Sequence, residues 1–176
     1  MNETRDLEKI FRKIDDEYYD IVKDILEHPE FQKRLEYHHH ENRSVYTHSL
    51  YVSYYSYIIA KKMKLDYRSA AVAGLLHDFY YDDWQLHPKK GIRNLHGFIH
   101  PTEALINSQI YFPNMINNKI ADSIKKHMFP LTVTPPKYCE GWIITLVDKF
   151  TSLEIFKHPK QLYKYVGLAL IFKKIK

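Results

Sequence analysis

Apolar residues recur along most of this chain at steps of three and four, the spacing that places them on one face of an α-helix. One such stripe covers residues 45–63, and His48 falls on it. The next segment opens at Asp66, a favourable N-cap residue, and continues as an almost unbroken apolar run over residues 70–76. This second helix is therefore expected to be buried on nearly every side.

Further helices follow from the same kind of reasoning. They are predicted over residues 3–26, from Pro101 onward, from Ile116 until Pro130 ends the helix, over residues 138–156 and over residues 161–174. His100 lies beside the start of the helix that opens at Pro101. His127 faces apolar neighbours in the helix that ends at Pro130, and Asp148 does so in the helix over residues 138–156. The stretch from Tyr80 to Ile99 lacks periodicity and is predicted to be a long loop. No repeat, linker or strand is predicted, so the expected fold is all-α with residues 1–176 in a single domain.

The cysteine content and the N-terminal residues limit the possible cellular compartments and types of metal site. Cys139 is the only cysteine among 176 residues, which excludes an internal disulfide and a cysteine-based zinc site and suits a reducing compartment. The N-terminal residues are charged, and no apolar run approaches the length of a membrane span. A cytoplasmic protein with no membrane partner is therefore expected.

The net charge of +5 and the pI near 9.0 suit an anionic partner. The lysines are spread along the chain, and there is neither a basic stripe interleaved with aromatic residues nor a known nucleic-acid motif. A nucleic-acid partner is therefore not expected, and a small phosphorylated or nucleotide-like molecule is the preferred ligand.

Six ionisable residues lie at inward-facing positions of the predicted helices: His48, His77, Asp78, His100, His127 and Asp148. Each alone has an ordinary explanation as a satisfied core histidine or a capping carboxylate. Together they indicate one metal site, because buried imidazoles and carboxylates need partners. Four imidazoles and two carboxylates suit iron, manganese, zinc, nickel or cobalt, and they can hold two ions if one carboxylate bridges. Such a pair of ions is the machinery of phosphoester hydrolysis.

The order of these residues resembles the HD-domain metal-dependent phosphohydrolase superfamily over about residues 40–156. The adjacent pair His77-Asp78 matches the signature that names the superfamily, and His48 and Asp148 match its other ligands by order and context. Gly-Leu-Leu-His-Asp, Leu-His-Gly-Phe-Ile-His-Pro and Lys-His-Met-Phe-Pro-Leu are similar to segments of an uncharacterised bacterial subgroup. The resemblance implies a single-domain helical bundle of HD type, with the N-terminal and C-terminal helices packed on it.

The resemblance also implies a dinuclear site, because His100 and His127 match histidines of the dinuclear branches. Asp78 is the preferred bridging ligand, because it adjoins His77 and could share its two carboxylate oxygens between ions. His48, His77 and Asp148 would then complete one ion position, and His100 and His127 the other. Iron or manganese is preferred, and zinc, cobalt, nickel and magnesium are the other candidates. The chain lacks the Gly-Tyr-Pro signature of the cyclic-dinucleotide phosphodiesterase group, which disfavours that substrate.

Residues around the expected ligands suggest further roles. Asp78 is expected to take part in catalysis as the bridging ligand, and Asp82 or Asp83 could act as a proton shuttle. For Asp82 and Asp83, a solvated position in a loop is the more ordinary explanation. Arg43 and Lys149 are candidates to bind a substrate phosphate, and His40 is a candidate substrate or ligand-supporting contact. For all three, a surface or pairing role is a serious alternative.

Three functions fit this pattern. The first is metal-dependent hydrolysis of a phosphate ester or anhydride on a small, nucleotide-like molecule, through a metal-activated water. The second is a di-iron oxygenase, because some HD-type scaffolds use the same ligand set to activate oxygen. The third is a non-catalytic nucleotide-sensing module.

Overall fold

A computed structural model describes residues 15–36, 38–39, 43–81 and 96–152 of the chain. Seven α-helices account for most of these residues: α1 (Asp16–Leu26), α2 (Pro29–Gln32), α3 (Val45–Lys62), α4 (Tyr67–Leu76), α5 (His96–Tyr111), α6 (Asn118–Lys126) and α7 (Cys139–Ser152). Two 3-10 turns, Lys33–Leu35 and Pro113–Met115, follow helices α2 and α5. The all-α fold predicted from the sequence is confirmed.

One element differs from the expectation that no strand forms. Strand β1 (His38–His39) pairs in antiparallel fashion with β2 (Arg43–Ser44), with His38 opposite Ser44. This two-residue ladder lies directly before α3. It is too short to change the class of the fold.

Most helices begin at a residue whose side chain accepts a hydrogen bond from the first turn. Such caps satisfy amide groups that have no partner within the helix. The capping residues are Asp15 for α1, His28 for α2, Ser44 for α3, Asp66 for α4 and Asn117 for α6. The N-cap predicted at Asp66 is therefore confirmed.

Helices α3 and α4 form the centre of the molecule, and α7 packs against both. At Gly74 of α4 the two central helices approach so closely that a β-carbon would lie 2.8 Å from the Cα of Ser53. The Ser53 hydroxyl donates to the carbonyl of Ala71 at 2.7 Å and accepts from Tyr18 at 2.9 Å. This close approach holds the helix that carries His48 against the helix that ends at His77.

Two predicted boundaries are wrong. Helix α5 begins at His96 rather than at Pro101, which lies inside it, so residues 96–99 do not belong to the predicted loop. A proline this near the start of a helix removes one ladder hydrogen bond, the one to the carbonyl of Gly97, and the helix tolerates that loss. Helix α6 ends at Lys126, and the residues from His127 to Pro130 form turns.

Several predicted segments fall partly or wholly outside the described residues. The N-terminal helix is seen from Asp16, and the late helix is seen to Ser152. The predicted helix over residues 161–174 and most of the predicted loop lie outside the described residues. Among the helices that are described, none is both long enough and apolar enough to cross a membrane.

Candidate metal centre

The structure brings together all six ionisable residues predicted to face inward. His48 lies in the first turn of α3, His77 and Asp78 follow the last turn of α4, and His100 belongs to α5. His127 caps the C-terminal end of α6, and Asp148 lies in α7. All six are at most 8 % exposed, so five separate segments place their polar side chains inside the protein.

One half of this cluster is rich in carboxylates. The Nε2 atom of His48 lies 3.1 Å from Oδ1 of Asp148, and Nε2 of His77 lies 3.6 Å from the same oxygen. Oδ2 of Asp78 lies 3.3 Å from Nε2 of His77 and 3.8 Å from Nε2 of His48. Two imidazoles and two carboxylates therefore face one another at this end.

The other half is rich in imidazole. The Nε2 atoms of His100 and His127 are 3.0 Å apart. Oδ1 of Asp78 lies 3.3 Å from Nε2 of His100 and 3.6 Å from Nε2 of His127. The two oxygens of Asp78 thus face different pairs of histidines.

The tautomers of two histidines are defined by backbone contacts. Nδ1 of His77 lies 2.8 Å from the carbonyl oxygen of Gly74, and Nδ1 of His127 lies 2.8 Å from the carbonyl oxygen of Ile124. Because a carbonyl only accepts, each Nδ1 carries the proton, and Nε2 of a neutral ring is left with its lone pair. A backbone carbonyl behind the ring is the usual support of a metal-binding histidine.

The donor atoms have the spacing that metal ions require. Two atoms that each bind one ion at about 2.1 Å lie roughly 3.0 to 3.4 Å apart at octahedral or tetrahedral angles. Four of the distances above fall in that interval, and the cluster contains three groups of donors that lie within 4.8 Å of one another. Nε2 of His77 is buried and makes no hydrogen bond of acceptable geometry. The residues therefore fit a divalent metal ion bound through nitrogen and oxygen.

Charges within the cluster compensate for its burial. Burial alone would raise the pKa of Asp78, but His77, His100 and His127 outweigh it and hold that pKa well below the ordinary value. Burial likewise acts against the charge on Asp148, whose pKa stays low because of its contacts with His48 and His77. Without metal, contacts with histidines therefore keep both buried carboxylates ionised.

A buried His/Asp cluster within a helical bundle defines a class of metal-binding domain. The model of the HD domain family matches residues 45–153, more than half of the chain, and this span includes all six clustered residues. The chain therefore belongs to the HD domain family. Comparisons with curated proteins and with solved structures found no match.

The remaining predicted site residues are described only in part. Asp82, Asp83 and His40 lie outside the described residues, and for Arg43 the backbone pairing in β2 is described but the side chain is not. Lys149 is half-buried, and its ammonium donates to the carbonyl of His127 at 3.1 Å and, more weakly, to the carbonyl of Thr145 at 3.5 Å. The roles predicted for these residues stay predictions.

Sequence reasoning missed Arg34, which contacts the residues that directly follow His77-Asp78. Its side chain is fully buried, its Nη1 donates to the carbonyl of Tyr80, and its guanidinium lies over the rings of Phe79 and Tyr81. It thereby supports the segment that directly follows His77-Asp78. In the sequence Gln-Lys-Arg-Leu this arginine has the pattern of a solvated surface charge, so no local signal identifies it.

Proposed function

We propose that this protein is a metal-dependent phosphohydrolase that acts on a phosphate ester or anhydride of a small, nucleotide-like molecule. Membership in the HD domain family supports metal-dependent hydrolysis as the class of activity. The buried donor set supports a site for divalent ions. The positive net charge of +5 favours an anionic substrate.

One observation carries the proposal of two ions: the two carboxylate oxygens of Asp78 face different histidines. Oδ2 lies nearest His77, and Oδ1 lies nearest His100. A carboxylate placed in this way can bridge, with His48, His77 and Asp148 completing one ion position and His100 and His127 the other. Iron and manganese suit such a mixture of nitrogen and oxygen donors best, and zinc, cobalt, nickel and magnesium are the alternatives.

Different residues of the chain would bind the ions, orient the ligands, move a proton and contact the substrate. Divalent ions bound here would activate a water as the nucleophile and stabilise charge on the phosphate oxygens. The six ligands fix the positions of the ions, and the backbone carbonyls behind His77 and His127 orient two of the rings. Asp82 or Asp83 is proposed to move a proton, and Arg43 and His40 are proposed to contact the substrate.

The test is phosphate release from a panel of nucleotides and phosphodiesters by protein loaded with manganese, iron, cobalt or nickel. We expect turnover with at least one metal, and we expect Asp78→Asn to lower it at least about 100-fold because a bridging ligand is removed. Asp20→Asn is the matched control, since Asp20 is 70 % exposed on α1 and pairs with Lys23 at the surface. No turnover by fully metallated protein would reject hydrolysis.

The same experiment separates the two other functions that the donor set allows. Oxygen uptake by the iron-loaded protein, without phosphate release, would identify an oxygenase. Stoichiometric nucleotide binding without any reaction would identify a sensing module. A His77→Ala variant with unchanged metal content would count against all three functions, because each depends on the metal centre.

A further inference from the structure

The side chain of Lys149 connects the two halves of the cluster. It directly follows Asp148 on α7, and its ammonium donates to the carbonyl of His127, 22 positions earlier in the sequence. Asp148 belongs to the carboxylate-rich half, and His127 belongs to the imidazole-rich half. A single half-buried cation therefore ties the helix of one candidate ligand to the backbone of another.

This contact occurs where α6 ends, at a position where a cation stabilises the helix. The last carbonyls of a helix have no partner within the helix, and the C-terminal end carries a partial negative charge. A lysine that donates there satisfies a carbonyl and interacts favourably with the helix dipole. His127 is consequently held at two points, at its ring by the carbonyl of Ile124 and at its own carbonyl by Lys149.

We infer that Lys149 is a positioning residue for the ion position formed by His100 and His127, and that it acts through the backbone of His127. The inference rests on the proposed two-ion site. Nε2 of His127 lies 3.0 Å from Nε2 of His100 and 3.6 Å from Oδ1 of Asp78, so a small shift of the His127 backbone would change both distances. The ammonium is already engaged by two carbonyl oxygens, which favours this role over direct contact with a phosphate.

The experiment is a titration of the metal-free, full-length protein with Mn²⁺, followed by calorimetry and by the electron paramagnetic resonance signal of a coupled manganese pair. Lys149→Met keeps the aliphatic stem and removes the donor. We expect the first equivalent of Mn²⁺ to bind as in the wild type, and the second to bind about 10- to 100-fold more weakly, with loss of the coupled signal. Lys149→Arg keeps a donor and is expected to restore much of the second binding step.

Two further variants keep the result interpretable. Lys125→Met is the matched control, because Lys125 is exposed on α6 two residues before His127 and should leave both binding steps unchanged. If Lys149→Met fails to fold, Lys149→Gln replaces it, since its shorter neutral side chain also loses the bond to His127 and should show the same selective loss.

The outcomes separate this inference from the proposed function. Equal weakening of both binding steps, or of neither, would overturn the positioning role of Lys149, as would a rise in KM with an unchanged Mn²⁺ titration. A wild-type protein that binds only one ion would also overturn it, while leaving hydrolysis with one ion open. Selective loss of the second ion in a protein that hydrolyses no phosphate would support the inference and reject the proposed function.

Discussion

His77 and His127 end their helices in almost the same way, yet they lie in opposite electrostatic surroundings. Both occupy the C-cap position, with φ and ψ of −59° and −33° for His77 and −60° and −23° for His127. In both, Nδ1 donates over 2.8 Å to the carbonyl of the residue three positions earlier. The same local geometry thus directs two Nε2 atoms into one cluster from different helices.

The difference lies in what surrounds the two rings. Burial would lower the pKa of His77, but the carboxylates of Asp78 and Asp148 outweigh it and raise that pKa to about 10. Burial, together with the charges of His77 and His100, lowers the pKa of His127 to about 3. The half beside His77 thus offers two carboxylates to a metal ion, whereas His127 offers a neutral ring. We expect two ion positions of unequal affinity, with the tighter one beside His77.

Substitution of individual ligands should have the largest effects on metal binding, and it tests whether the two halves differ in affinity. Asp78→Ala is expected to abolish binding of both ions, because its two oxygens face both halves of the site. His127→Ala is expected to remove the weaker ion and to retain about one equivalent, since the carboxylate-rich half stays intact. Elemental analysis of the purified variants after reconstitution measures both effects.

The wild-type protein, reconstituted in parallel, supplies the reference of about two equivalents. Loss of both ions in His127→Ala would show that the halves do not bind independently. Retention of one ion in Asp78→Ala would argue against a bridging role for that carboxylate.

The packing behind the two helix ends differs, and substitutions there should change the free energy of unfolding by different amounts. Gly74 supplies the carbonyl behind His77, and a β-carbon there would meet the backbone of Ser53 at 2.8 Å. Gly74→Ala should cost about 1–3 kcal/mol through overpacking. Ile124 supplies the carbonyl behind His127 from a fully buried position, and Ile124→Val should cost about 0.5–1.5 kcal/mol through lost burial.

Urea unfolding of the metal-free proteins measures both costs in the free energy of unfolding. A Gly74→Ala variant as stable as the wild type would mean that α3 and α4 can separate without penalty. That result would contradict the close approach of the two helices.

The pH dependence of stability should differ in sign at the two histidines of the metal-free protein. The pKa of His77 rises from 6.5 to about 10 on folding, so its contribution is fully present below pH 6.5 and is lost as the pH approaches 10. The pKa of His127 falls from 6.5 to about 3, so stability declines as the pH falls below 6.5. Thermal unfolding between pH 4.5 and pH 10 should show both slopes.

Two substitutions assign the slopes to their sources. His77→Gln should flatten the alkaline side, and His127→Gln should flatten the acid side. If both variants keep the wild-type profile, the charges that balance the cluster lie elsewhere. Saturating metal should also flatten the alkaline side, because a bound cation replaces the proton of His77.

A small effect on stability, with none on metal binding, is expected at the start of α6, far from His127. The side chain of Asn117 accepts from the amide of Ile120 at 2.9 Å and donates to the hydroxyl of Ser69 at 2.9 Å. Asn117→Ala should destabilise the protein by about 1 kcal/mol through loss of the cap. Chemical unfolding measures the change, and both Mn²⁺ binding steps should be retained. Weakened binding of the second ion would show that the helix transmits a local defect to His127.

The sequence predicted the helices that carry the cluster from local patterns: an apolar stripe with His48 over residues 45–63, an unbroken apolar run over residues 70–76, and apolar neighbours around His127 and Asp148. The HD family predicted from the order of the ligands is confirmed. The start of α5 could not be predicted in the same way, because Pro101 is also typical of a first helical turn. The distance between Asp78 and the histidines of α5 and α6 depends on packing between helices, which the spacing of residues along the chain does not contain.

Backbone contacts were equally beyond prediction. The carbonyl oxygens of Gly74 and Ile124 carry no side-chain signal, although they determine which nitrogen of each ring faces the cluster. The bond from Lys149 to the carbonyl of His127 is of the same kind. Such contacts arise when whole helices dock, so they follow from tertiary structure and not from local pattern.

The buried position of Arg34 shows that the interior of the protein extends beyond the N-terminal boundary of the family match. The family match starts at residue 45, whereas Arg34 reaches the carbonyl of Tyr80 from before that boundary, and Phe31 packs against the rings of Tyr46 and Phe79. A protein shortened to the matched residues would leave this part of its interior open to solvent. The family match and the packed interior therefore cover different lengths of chain, because residues before position 45 fill the interior beside the segment that follows His77-Asp78.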